Sequence, residues 1–195
     1  MSQTNSLLSA RLSLIHAALL ALIDAEVKAR REVDPDGELN NVIVADSPAD
    51  PSQCYHIDIP RRQVNPGNPD ALTSVGRALM RLGSTTVAIA LAVTFSGSAQ
   101  WAKREGYAAF ACTDGTWHNA VLVVEDDGSI AILRGWQPVQ RGADQGFDVV
   151  REAIDAAFAA GPIGDGSDEP AALAEIEGIG GRLSTIQRPQ HSSAN

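Results

Sequence analysis

Residues 107–136, YAAFACTDGTWHNAVLVVEDDGSIAILRGW, contain three β-strand patterns in a row. Two Asp-Gly dipeptides, at 114–115 and 127–128, separate runs that are rich in alanine, β-branched and aromatic residues. Asp-Gly favours the two-residue turn of a β-hairpin, because Gly adopts the positive φ that such a turn needs. The stretch therefore predicts a three-stranded antiparallel meander. Its strands are 107–113, 117–125 and 129–136.

A further strand is predicted before the meander, at residues 86–95. Large apolar side chains alternate there with small ones, so that one face carries Val, Ile, Leu and Phe and the other carries mainly Ala. Both faces are expected to be buried, and the Ala side lets a helix approach the sheet closely. We therefore place this strand at the centre of the sheet. Two shorter strands are predicted at 42–45 and 55–59.

Three helices are predicted from apolar residues that recur three or four positions apart. The first is long, from about residue 7 to residue 32, and ends before the turn Asp34-Pro-Asp-Gly37. The second contains Leu72, Val75, Leu79 and Leu82. The third contains Phe147, Val150, Ile154 and Phe158.

Together these elements predict an α+β fold. It consists of an antiparallel sheet of about five to six strands, including a C-terminal three-stranded meander, with a long N-terminal helix and two further helices packed on the sheet. Residues 1–161 are expected to form a single core domain, and residues 162–195 a Gly/Asp-rich linker and a flexible C-terminal tail. The element order resembles, at the level of topology, profilin-like and roadblock-like domains and the acidic chaperones of type III secretion. This resemblance favours an interaction role.

The composition limits the classes of partner. The 195 residues carry a net charge of −9 with a pI near 4.8. Such a chain lacks the clustered Lys and Arg that phosphate groups attract, so we expect a protein partner, preferably a basic one, rather than nucleic acid. The apolar run 12–23 contains His16 and is too short to span a bilayer, so no membrane association is expected. With only two cysteines, the predicted location is the cytoplasm.

A candidate partner-binding surface follows from the register of the meander. Two-residue turns would pair Val121 with Arg134 and Asn119 with Trp136, which places five candidate binding residues on one face. They are Phe110, Trp117, Asn119, Arg134 and Trp136. Two Trp with an Asn and an Arg among apolar neighbours are typical of a protein interface. The alternative is that another element of the chain covers this face.

The first helix is a second candidate surface. It carries Leu, Ile and Ala around much of its circumference, which indicates burial against both the sheet and another copy of the chain. A homodimer through this helix is therefore one expectation. The alternative is a single helix that lies across the sheet with Lys28, Arg30 and Arg31 in solvent.

Candidate catalytic and metal-binding residues are few. Cys112 could act as a nucleophile with His118 as its base, but the predicted first hairpin places their side chains on opposite faces. Cys54 and His56 would share one side of a strand, a half-site for zinc that lacks two further ligands. We therefore expect no metal, cofactor or catalytic site. A small hydrolase or transferase that uses Cys54 with His56, or Cys112, is the alternative.

The stretch IEGIGGR, which begins at Ile176, resembles the hairpin of helix-hairpin-helix modules. The resemblance implies contacts between backbone N–H groups and a DNA phosphate. The implied contact residues are Gly178, Gly180 and Arg182. This chain has Glu177 where such modules usually have Pro, and Pro189 would cut the second helix short. Weak DNA binding is thus a second alternative to the main hypothesis, a non-enzymatic protein-binding, adaptor or chaperone-like protein.

Overall fold

The computed structural model describes residues 2–34, 37–64, 67–95, 104–113, 115–139, 142, 145–159 and 168–187. These residues form four helices and seven strands. The helices are α1 (Ser2–Val33), α2 (Pro69–Arg81), α3 (Gln145–Ala159) and α4 (Glu169–Gly178). The strands are β1 (Asn41–Asp46), β2 (Gln53–Ile59), β3 (Thr86–Phe95), β4 (Arg104–Thr113), β5 (Thr116–Val124), β6 (Ile130–Pro138) and β7 (Arg182–Gln187).

All seven strands belong to one antiparallel sheet with the order β6-β5-β4-β3-β1-β2-β7. The predicted α+β class with an antiparallel sheet is confirmed, but the sheet has seven strands rather than five to six. β3 lies at its centre, as the two apolar faces of this strand predicted. The additional strand is β7, which pairs with β2 at one edge, while β6 forms the other edge.

α1 packs on one face of the sheet, against the alanines of β3 and β4. The buried residues of α1 recur at three- and four-residue intervals, as expected for one side of a helix. They are Ile15, Ala18, Leu19, Ile23 and Val27. Because alanine side chains are short, the helix can lie close to the strands. The prediction that the Ala side of β3 carries a helix is therefore confirmed for α1.

The other three helices pack on the opposite face, where the sheet presents large side chains. Leu72 and Leu79 of α2 and Ile154 of α3 are completely buried in this second core. The two further predicted helices are thus present, but they lie on the face away from the alanines. Long Ile, Leu, Phe and Trp side chains are needed there because they fill the space beneath three helices that also contact one another.

The hairpin between β4 and β5 has the predicted register, with Thr113 opposite Thr116. The hairpin between β5 and β6 does not. Its turn contains three residues, because the Glu125 N–H donates to the Ser129 carbonyl at 2.9 Å and Gly128 takes a φ of +87°. A three-residue loop with Gly in the left-handed region is the next most common hairpin turn after the two-residue loop.

β6 also shifts its register against β5 at two places. The pairs are Leu122 with Ile132, Val121 with Arg134 and Asn119 with Gln137. The predicted pair of Val121 with Arg134 is confirmed. The predicted pair of Asn119 with Trp136 is wrong, because the three-residue turn and the two bulges together place Gln137 opposite Asn119, and Trp136 lies on the α1 face.

The chain from residue 168 to residue 187 is part of the packed structure. The sequence assigned this segment to a flexible tail, but it forms α4 and β7, and residues 160–167 and 188–195 lie outside the described residues. Ile176 of α4 is completely buried, and Arg81 of α2 donates to Asp168 at 2.6 Å. The signal was weak because β7 is short and mainly polar, and only two residues of α4 are buried.

Asn41 ties three parts of the fold together from a completely buried position. Its Nδ2 donates to the Val64 carbonyl at 2.6 Å, and its Oδ1 accepts from the Ala92 N–H at 2.8 Å. One amide thereby satisfies a loop carbonyl and a strand N–H that water cannot reach. The loop after β2 is held against β1 and β3 by this side chain.

We expect Asn41→Leu to lower the free energy of unfolding by about 2–4 kcal/mol, because two buried backbone groups lose their partner. Asn40→Leu is the matched control. Asn40 is half-buried, and its amide makes only a long contact, 3.5 Å, to Asp58, so the change should stay within about 1 kcal/mol. Urea unfolding followed by Trp fluorescence measures both variants. Equal losses would show that Asn41 has no special role.

Candidate functional site

Three of the five predicted binding residues lie inside the protein. Phe110, Trp117 and Asn119 are buried on the face that α2, α3 and α4 cover. The Trp117 indole N–H points at Asp155 of α3, with a nitrogen–oxygen distance of 3.4 Å. These three residues are therefore covered by helices of the same chain, which is the alternative given above for this face.

The other two predicted residues lie on β6, away from that core. Arg134 is exposed, and Trp136 is half-buried against α1. Trp136 stacks on His16, with ring centroids 3.8 Å apart and planes parallel to within 1°. The three-residue turn before β6 is the cause, because it moves the pairing by one residue from that of a two-residue turn, and the two later one-residue shifts together leave Trp136 on the α1 face. The structure thus brings together Phe110, Trp117 and Asn119 but not the full set.

His16 and His118 form a pair of imidazoles beneath α1. Burial, with a smaller contribution from the nearby His118, lowers the pKa of His16 to about 4. His16 Nε2 and His118 Nδ1 are both buried and have no hydrogen-bond partner. The described residues contain no group of three His, Cys, Asp or Glu side chains that could hold a metal ion. His16 is therefore suited to packing in its neutral form.

The cysteine chemistry that the sequence raised has mixed support. Cys112 and His118 lie on opposite faces, as predicted, because Cys112 pairs with Trp117 and the next residue faces the other way. Cys54 is completely buried on the α1 face. On the same face, Ser184 Oγ lies 3.4 Å from His56 Nδ1, a contact that the sequence could not indicate because β7 was not predicted. Burial lowers the pKa of His56, and Asp58 partly opposes this effect.

The segment that resembled a helix-hairpin-helix continues as a strand. Arg182 begins β7 and lies opposite Asp58 of β2, so the second helix of such a module does not form. The turn itself is real, since Gly180 has a φ of +74°. The geometry proposed for phosphate contacts at Gly178, Gly180 and Arg182 is thus lost, because a strand replaces the helix that would complete the motif.

α2 and α4 border an open groove of about 440 Å³. Ser74 and Arg81 line it on one side, and Glu175 with the small residues of α4 lines it on the other. Its lining cation, Arg81, already contacts Asp168 at 2.6 Å, and the neighbouring Arg77 contacts the lining residue Glu175 at 3.1 Å. The groove is therefore a seam that holds α4 rather than a site for an anion.

The edge strand β6 carries the exposed apolar surface. Ile132 is 58% exposed and Leu133 is 55% exposed, with Arg134 beside them and Trp136 at the margin. We call these four residues the β6 patch. Other large apolar side chains that are exposed in the described chain, Val33 and Leu173, stand singly on α1 and α4. Adjacent exposed apolar residues mark an interaction site more often than single ones do.

Comparisons of the chain with protein-family models, with curated proteins and with solved structures found no match. Among the described residues, no helix is both long enough and apolar enough to cross a membrane. Function is therefore inferred from the residues of this chain alone.

The His16–Trp136 stack predicts a dependence of stability on pH. The folded protein holds His16 with a pKa near 4, whereas the unfolded chain binds a proton near pH 6.5. The unfolded state therefore binds more protons between these values, and this contribution to stability is lost as the pH falls from 6.5 towards 4. His16→Phe keeps the stack but cannot bind a proton. Between pH 7 and pH 5, we expect its free energy of unfolding to fall by about 1 kcal/mol less than that of the wild type, a difference that allows for the partial exposure of His16.

Trp136→Ala is the control for this prediction. It leaves His16 in place but uncovers the ring, which returns the pKa towards its ordinary value and should weaken the pH dependence as well. Urea unfolding at the two pH values measures all three proteins. If the wild type and His16→Phe lost stability in parallel, the buried imidazole would not be the cause.

Proposed function

We propose that this chain is a non-enzymatic protein-binding module, and that its partner, a different protein, docks on the β6 patch. The single observation that supports the proposal is the exposure of two consecutive apolar residues, Ile132 and Leu133, on an edge strand. Because each is more than half exposed, covering them would contribute about 1–2 kcal/mol per side chain. Apolar area of this kind at the rim of a sheet is typical of a docking surface.

The bulges favour docking through side chains rather than by addition of a strand. A partner strand pairs with an edge only where successive N–H and C=O groups point outward in a regular order. β6 breaks that order on either side of Arg134, where its register against β5 shifts. A partner is therefore expected to present apolar side chains to Ile132 and Leu133, with a carboxylate or carbonyl for the exposed Arg134.

Charge adds a longer-range preference. The chain carries −9 overall, so partners with a basic surface are attracted from a distance, which supports the prediction of a basic partner. The patch itself is locally basic at Arg134 and contains no acidic residue. Partner recognition is thus expected to combine a salt-sensitive encounter with a salt-insensitive apolar contact.

The test compares a patch variant with a matched control. Ile132→Lys with Leu133→Lys places two charges in the patch, and should weaken capture of the partner from a host lysate at least tenfold. Val33→Lys is the control, because Val33 is 86% exposed and lies at the end of α1. Circular dichroism checks that both variants are folded. A partner retained equally by both variants would refute docking at β6.

The hydrolase alternative predicts a different result. The contact between Ser184 and His56 is the described geometry that would favour it, but 3.4 Å is long for a hydrogen bond. We prefer binding because the β6 patch offers exposed apolar area that a partner could cover. Ester hydrolysis that disappears in Ser184→Ala would reverse that preference.

A further inference from the structure

The second edge of the sheet, β7, is built unlike β6. Six consecutive pairs join it to β2 without a register shift, from Gln53 opposite Gln187 to Asp58 opposite Arg182. Within the described chain no strand pairs with its outer side. It contains no proline, and Arg182 is its one charged residue. A regular, nearly uncharged edge with unpaired backbone groups is the kind that accepts another strand.

α4 lies directly above this edge. A side-chain carbon at Gly181 would come within 2.9 Å of Ile176 of α4 and of Ile59 of β2, which shows how closely helix, strand and turn pack. Glu175 faces α2, where it binds Arg77 at 3.1 Å. Leu173 lies about 160° around the helix from Glu175, on the open side, and is 36% exposed.

We infer that β7 is a self-association edge, at which two copies of the chain pair their β7 strands antiparallel about a twofold axis. The two seven-stranded sheets would then form one continuous sheet. Strands in a sheet are about 4.8 Å apart, so two helices centred over the β2–β7 gaps would lie about 10 Å apart. This is the distance at which helices pack, with Leu173 of each copy in the seam.

A second copy suits this edge better than a peptide. A peptide strand would satisfy the backbone of β7 but leave Leu173 exposed, whereas a second copy supplies both a strand and a helix. A twofold axis normal to the sheet keeps each face of the two sheets on its own side, so residues that lie opposite each other must point to the same face. This requires one residue of β7 to face its own copy across the axis, and at the centre of the strand that residue is Ser184 or Thr185. In both registers, Arg182 avoids the partner's Arg182.

Repulsion between acidic side chains distinguishes this interface from one that is held by ion pairs. Glu169 and Glu177 flank Leu173 on the open side of α4, and the antiparallel arrangement brings the acidic residues of the two copies near each other. Salt screens that repulsion. The dimer is therefore expected to become tighter as ionic strength rises, the opposite of what an interface held by ion pairs would show.

The first experiment measures molar mass by light scattering. The wild type is expected at twice 20.5 kDa, and Ser184→Lys with Thr185→Lys at 20.5 kDa, with a dimer dissociation constant raised at least tenfold. Both residues are exposed in the single chain, so the substitutions leave the core intact. The β6 variant Ile132→Lys with Leu133→Lys is the control and should remain dimeric. This inference is independent of docking at β6, since the β7 variant should still capture the partner.

The second experiment cross-links the two copies at the residue nearest the proposed twofold axis. Ser184→Cys or Thr185→Cys, in a Cys112→Ala background, should give a disulfide-linked dimer on mild oxidation, because residues facing each other across an antiparallel pair have Cβ atoms about 4.5–5.5 Å apart. Leu133→Cys should not. A wild type that stays at 20.5 kDa at every concentration tested would overturn the inference. So would a dimer that persists in the β7 variant, which would instead support the predicted dimer through α1.

Discussion

The burial of β3 on both faces is the constraint on which the rest of the structure depends. A strand can lie in the middle of a sheet with helices on either side only if it carries no charged side chain, and β3 carries none between Thr86 and Phe95. Its alanine face admits one helix at close range, and its Ile and Leu face requires the thicker layer that three helices supply. Asp46 at the end of β1 anchors the start of β3, accepting from the N–H groups of Thr85 and Thr86 at 2.8 and 2.7 Å.

The edge strand β6 connects that core to the surface. Trp136 stacks on His16 and attaches the strand to α1, while Ile132 and Leu133 lie in solvent next to the two shifts in register. The irregular pairing thus interrupts the edge against unwanted strand addition, beside exposed side chains that are available for recognition. The two edges of the sheet therefore differ: β6 presents exposed side chains, whereas β7 presents a regular row of backbone N–H and C=O groups.

Much of the fold could be predicted from the sequence because its signals are local. The alternation in residues 86–95, the helical spacing in α2 and the first Asp-Gly turn each depend on neighbouring residues only. The candidate site could not be predicted in the same way. Asp127-Gly128 fits either a two- or a three-residue turn, and the choice changes which face every later residue of β6 occupies. β7 was missed because an edge strand needs few apolar residues, and it is paired with a strand more than a hundred residues earlier.

The position of β7 also affects the order in which the protein can fold. The strand that covers the edge of β2 is the last element described, so a chain emerging from the ribosome contains every other strand before that edge can be closed. During this interval the backbone N–H and C=O groups along the open edge of β2 are the part of the nascent chain most open to pairing with other chains. Synthesis of β7, rather than formation of the central core, is the step that closes this edge.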